Sequence, residues 1–172
     1  TKLEILMVIN ATLSEASKED FEGLKNLTDL NLSKNLIEKL PVDVFEDLKN
    51  LKKLILDDNK IQMLPPKIFM ENSNLVELSL MNNNLQSIND ETFKNLKALK
   101  RLYLTGNKLE DLKSGTFDNN EELMVLHLTR NELKYIPENI FEKNTALRFD
   151  KSKFSDNKCI DGSKKITDLA IF

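Results

Sequence analysis

Leu3, Leu27, Leu51, Leu75, Leu99, Leu123 and Leu147 stand 24 residues apart, and Phe21, Phe45, Phe69, Phe93, Phe117 and Phe141 keep the same period. Asn35, Asn59, Asn83, Asn107 and Asn131 run in step with them. Three residue types in register over so many periods restrict the chain to a repeat architecture. A unit this short cannot bury an apolar face alone and must stack against a copy of itself. The repeat also explains why leucine (30) and asparagine (20) dominate the 172 residues.

One unit reads LTDLNLSKNLIEKLPVDVFEDLKN (27–50) and fits L-x-x-L-x-L-x-x-N-x-L. Its leucines alternate with polar residues, as in a strand buried on one face. Asn35 and its equivalents follow where the chain must turn, and their amides can bond backbone groups of the neighbouring turn. Ile37, Leu40 and Phe45 then point inward from the return segment. Proline in LPVDVF (40–45), LPPKIF (64–69) and IPENIF (136–141) suits an irregular outer side rather than a hydrogen-bonded ladder. A helical solenoid would need apolar residues at 3.6 spacing through most of the unit, and that pattern is missing.

A 24-residue unit ending LPxxxF resembles the "typical" class of leucine-rich repeat, found in ectodomains of Toll-type receptors, small proteoglycans and secreted arthropod immune proteins. The resemblance covers residues 3–146. It implies an α/β-type solenoid, a horseshoe with a parallel concave sheet of about seven to eight strands and an irregular convex side rich in loops and 3-10 turns. Residues 1–146 would hold six repeats, and 147–172 an irregular terminal repeat or cap.

The ends depart from the pattern. In LEILMVINATL (3–13), Ile5, Met7 and Ile9 replace polar outward residues, and Ala11 stands where asparagine is expected. A strand apolar on both faces is expected to be covered on both, as a self-capping edge, as a dimer contact or beneath upstream sequence. The pattern is already under way at Thr1, so any leader segment has been removed or left off. The seventh unit fits only after a two-residue shift, which places Phe154 inward and Asn157 on the ladder. KITDLAIF (165–172) has the spacing of one more strand. Family caps carry paired cysteines; here Cys159 is the sole cysteine, so no internal disulfide can form. It is either a buried free thiol or an intermolecular disulfide partner.

Positions three, five, seven and eight of each unit face away from the core onto the sheet. They bring Asp29, Lys53, Ile55, Asp57, Asp58, Glu77 and Met81 onto one surface with Arg101, Tyr103, His127 and Arg130. Repeats two to four lean acidic; repeats five and six are basic, extended by Lys151 and Lys153. Tyrosine, methionine, isoleucine and arginine along such a face suit a protein partner. His127, the sole histidine, falls in this outward set without an adjacent carboxylate or second imidazole, so neither metal nor acid–base work is expected of it. Asn10-Ala-Thr12 and Asn26-Leu-Thr28 are glycosylation candidates, though this composition produces about two such triplets by chance.

Other chemistry finds no support. Phosphate-loop, dinucleotide, zinc-protease and nucleophile-elbow strings are missing, so no catalytic residue, cofactor or metal is expected. At net −3 the charge is nearly balanced, which argues against nucleic acid. No apolar run is long enough for a membrane span. The expected function is a non-enzymatic binding module, secreted or part of an ectodomain, engaging a protein or glycoprotein on its concave face. By resemblance, its role would lie in innate immunity or cell recognition. The alternative is an assembly subunit joining like chains through its terminal repeats or Cys159, and any homo- or heterodimer would form through the terminal repeats.

Overall fold

The computed structural model describes residues 2–148 and 150–158. Six short strands form one parallel sheet in chain order: β1 (Ile5–Met7), β2 (Asp29–Asn31), β3 (Lys53–Ile55), β4 (Glu77–Ser79), β5 (Arg101–Tyr103) and β6 (Val125–His127). Register follows the repeat without slip, as in Asp29 opposite Lys53 and Leu30 opposite Leu54. Each strand is only three residues long because alternation gives way to a turn after the third leucine. The return side consists of turns, with a 3-10 element at Glu19–Phe21.

Leu54, Leu56, Leu78, Leu80, Leu102 and Leu104 are fully buried behind the sheet. Phe45, Phe69, Phe93 and Phe117 fill the convex half. Their rings follow one another at 6.0 Å (Phe45–Phe69) and 6.3 Å (Phe93–Phe117). Strands are spaced at about 4.8 Å. The wider spacing on the phenylalanine side wedges successive turns apart and bends the stack with the sheet on its inner surface.

The asparagine ladder is present as expected. Asn59 Nδ2 donates to Leu32 O (3.0 Å) and Leu56 O (3.1 Å), while its Oδ1 accepts from Ile37 N (3.1 Å). Asn83, Asn107 and Asn131 repeat this arrangement. A second column went unread in the sequence. Asn72 donates to Phe45 O and Leu48 O, Asn120 to Phe93 O and Leu96 O, and Asn144 to Phe117 O and Asn120 O. These buried amides satisfy carbonyls of the preceding convex turn, which lacks a ladder of its own. The spacing of 72, 120 and 144, multiples of 24, was the available signal.

The eighth position of every unit is left-handed: Asn10, Lys34, Asp58, Asn82, Gly106 and Arg130 all have φ between 53° and 73°. The chain must turn sharply here to leave the sheet. Asparagine, aspartate and glycine tolerate this conformation, whereas lysine and arginine adopt it at a cost of about 1–2 kcal/mol. Lys34→Asn is therefore expected to raise the unfolding free energy by about 0.5–1 kcal/mol, measured by urea denaturation. No gain would show that the left-handed turn costs lysine nothing.

The terminal unit adopts the shifted frame. Phe154 is buried, Asn157 donates to Leu128 O (3.0 Å) and accepts from Leu133 N (3.2 Å), and Asp156 has the left-handed φ of 57°. The sheet count nevertheless falls short of the expected seven to eight strands. Six are found, extended by a single parallel bridge between His127 and Lys153. Ser152 explains the shortfall: its hydroxyl, in place of a leucine, accepts from Leu126 N (3.2 Å) and donates to Arg148 O (2.9 Å). The expected eighth strand and Cys159 lie outside the described residues.

At the other end, β1 is not covered on both faces. Ile5 and Met7 are 53% and 63% exposed, and Leu6 and Val8 are half-buried. Behind them opens a cavity of about 790 Å³, lined by Leu6, Val8, Leu13, Phe21, Leu32 and Leu40 among others. Ala11 contributes no ladder amide; its N–H donates to Asn35 Oδ1 instead (2.9 Å).

Candidate functional site: the concave face

All the outward positions read from the sequence share the sheet side. Asp29, Lys53, Glu77 and Arg101 form one column and Ile55, Tyr103 and His127 another, as strand register requires. Asp57 and Met81 follow their strands, half-buried, and Asp58 and Arg130 stand exposed at the turns. Asn10 and Asn26 are exposed.

Charge is arranged differently from the expected acidic and basic halves. Glu77 receives Arg101 Nε at 2.7 Å and Lys53 Nζ at 3.1 Å, and its side chain is only 15% exposed. Arg101, read as part of a free basic patch, is therefore committed to its column neighbour. The sheet brings these residues together because neighbouring strands place 24-spaced positions side by side. Burial alone would raise the Glu77 carboxyl; hydrogen bonds and charge from Arg101 and Lys53 outweigh it and hold the group below its ordinary value. This lowered value contributes stability that is present above the ordinary pKa of 4.5 and is lost as pH falls through the folded value. Glu77→Gln is expected to cost about 1 kcal/mol at pH 7, with the gap to wild type shrinking under acid. A gap independent of pH, measured by denaturation across the acid range, would refute the pairing.

Asp57 and Asp58 both reach the outer face because the chain bends between them, at Asp58 φ 54°. Both are engaged by neighbouring groups of the sheet. Asp57 accepts from Ser79 Oγ (2.6 Å) and Met81 N (2.8 Å), while Asp58 accepts from Asn82 Nδ2 (2.9 Å). Burial pushes the Asp57 carboxyl above its ordinary value despite those bonds. Its ionisation therefore opposes folding as pH rises, the reverse of Glu77. Among the described residues no cluster of three or more His, Cys, Asp or Glu could hold a metal. No helix of the described chain is long and apolar enough to cross a membrane.

Tyr103 and His127 meet edge to face, ring centroids 4.9 Å apart, a favoured aromatic geometry. His127 Nε2 lies 2.9 Å from Lys151 O. A carbonyl only accepts, so Nε2 carries the proton of that bond. Burial, then the charge of Glu77, holds the Tyr103 hydroxyl above its ordinary value, leaving it a neutral donor and acceptor at neutral pH. Gly106 leaves room in the eighth column: a Cβ there would lie 2.4 Å from Asn82 Oδ1. Arg130 Nη2 reaches that same oxygen (3.5 Å) across the gap. The result is a half-buried, pre-ordered surface of aromatic, aliphatic and charged groups, which can dock a partner with little ordering cost.

A comparison with curated protein sequences finds no match. Among solved structures, the leucine-rich repeat domain of APL1B is 30% identical with a TM-score of 0.73, over 78% of this chain and 38% of that one. Toll from Drosophila, in its glycosylated complex with Spatzle, is 28% identical with a TM-score of 0.83, over 90% of this chain and 22% of that one. The LRIM1/APL1C complex gives 28% identity and a TM-score of 0.73, over 78% and 24%. The chain thus spans well under half the length of these structures. The family profile described as "Leucine rich repeat" matches residues 1–61, 49–109 and 98–149, and the chain belongs to the leucine-rich repeat family.

Proposed function

We propose that this chain is a non-enzymatic protein-binding module, secreted or part of an ectodomain, whose concave face engages a protein or glycoprotein in immunity or cell recognition. The observation that carries this reading is the half-exposed Tyr103–His127 pair on a rigid sheet, beside a pre-satisfied Lys53–Glu77–Arg101 row. Relatives with complexed partners, Toll with Spatzle and LRIM1 with APL1C, support it. Tyr103→Ala is expected to weaken partner binding at least about tenfold, the scale of an aromatic hot spot, while changing stability little. The partner would be captured from extracellular fluid and its affinity measured by calorimetry. Wild-type affinity in the variant would remove the concave-face reading. Arg101→Glu is unsuited to this test, because it would set a second carboxylate against Glu77.

A second reading rests on β1, whose outward Ile5, Met7 and Ile9 are exposed beside an open apolar cavity. An unpaired strand edge next to apolar surface favours chain-to-chain assembly. Light scattering decides it: a monomer across the accessible concentration range ends this alternative.

A further inference from the structure

On the concave face the carboxylates of Glu77, Asp57 and Asp58 are satisfied internally. Among the described residues, the ammonium groups of Lys34 near one end and of Lys151 and Lys153 beyond β6 have no acidic partner. Glu77 holds both Lys53 and Arg101, Asp57 is occupied by Ser79 and Met81 N, and Asp58 by Asn82. Groups already paired gain little from a new counter-charge, because the bond formed replaces one lost. Beyond β6, Asp150 is taken by Arg148 and Glu132 by Lys158. Asp156 follows Arg130 in the eighth column and accepts from Ser155 Oγ (3.4 Å), and Arg130 reaches Asn82 Oδ1 (3.5 Å). Lys151 and Lys153 are exposed, and no acidic partner reaches either among the described residues.

Their placement is set by the backbone. Lys153 pairs with His127 across the sheet, so it continues the Tyr103–His127 column. Lys151, two residues earlier, closes the turn from Arg148, to whose carbonyl its N–H donates (3.0 Å), and its own carbonyl pins the imidazole. Both ammonium groups are exposed at this end of the face and offer a counter-charge to acidic side chains. The pinned histidine and the tyrosine edge provide an apolar floor beside them.

We propose that the partner of the concave face docks through an acidic segment, its carboxylates on Lys151 and Lys153 and an apolar or aromatic side chain on Tyr103 and His127. This rests on the concave-face reading above. Single-stranded nucleic acid shares the negative charge but would track a continuous basic groove. Here Asp29, Asp57 and Asp58 lie on the same face and would repel a long polyanion.

The test is selection of a displayed library of short random peptides on the whole chain, with affinities then measured for the selected sequences. Binders enriched in aspartate and glutamate are expected, weakened at least about tenfold by the double variant K151E/K153E and unchanged by K25E/K97E at lysines off this face. Their affinity should fall steeply with added salt. Neutral or basic binders, or no enrichment, would overturn the acidic-segment proposal. Loss of binding in Tyr103→Ala with K151E/K153E indifferent would overturn it while sparing the concave-face reading. Indifference to both variants would overturn both. Displacement of the binders by an oligouridylate but not by a glutamate-rich peptide would assign this end to nucleic acid and likewise overturn it.

Discussion

Asn83→Ala is expected to lower the unfolding free energy by about 3–5 kcal/mol, because it leaves several buried backbone groups without partners at about 1–3 kcal/mol each. Asn83 Oδ1 accepts from Ile61 N at 3.0 Å, and Nδ2 donates to Leu56 O at 2.9 Å and Leu80 O at 3.2 Å. Alanine supplies none of these bonds, and the site is too buried for water to replace them freely. The loss falls on the junction between the third and fourth turns. Solenoid stability is nearly a sum of units and nearest-neighbour interfaces, so a weakened junction near the middle also threatens cooperativity. Urea denaturation followed by circular dichroism would report it as a lower midpoint or as a split transition. The exposed Asn119→Ala serves as control, with a change within about 0.5 kcal/mol. If both variants lose equally little, the ladder does not stabilise the stack.

Phe117→Ala is expected to cost a similar 3–5 kcal/mol, roughly what deleting a fully buried phenyl ring costs when the cavity cannot collapse. The ring is wholly buried, with the Phe93 and Phe141 centroids 6.3 and 6.0 Å away on either side. Neighbouring turns are held at their spacing by the ladder and by Asn144, which donates to Phe117 O. They therefore cannot close over the void. Phe141 keeps the same sequence position but is only half-buried, so Phe141→Ala should cost clearly less. Equal losses at the two sites would mean that burial does not govern the spine. Because the phenylalanines set the convex spacing, Phe117→Ala should also alter curvature, detectable as a change in the small-angle scattering profile.

These two residues belong to the part of the molecule that the repeat made legible. Alternating leucines, a fixed asparagine and a fixed phenylalanine report core, ladder and spine directly, because each repeat meets the same neighbours as the last. The outward columns were legible for the same reason: a 24-residue period without insertion forces Asp29, Lys53, Glu77 and Arg101 into one row. The basic character expected of repeats five and six did not show that Arg101 is held by Glu77. The sequence lists charges, whereas pairing depends on which side chain bends toward which. The second asparagine column was overlooked because Leu48 and Leu96 occupy alternate members of the series and interrupt it.

The sequence by itself determined the parallel sheet, its register, the buried ladder and the two-residue offset that brings Phe154 and Asn157 into place. Each follows from periodicity, since apolar burial permits only one way to stack identical units. Tertiary structure alone decided the rest. It set Glu77 between two cations, occupied Asp57 with Ser79, bound the His127 imidazole to the Lys151 carbonyl and left β1 bare. It also stopped the sheet at a single bridge beyond β6, where Ser152 takes the place of a leucine. Those outcomes depend on contacts between residues 22 to 26 positions apart, made by side chains whose directions no one-dimensional pattern specifies.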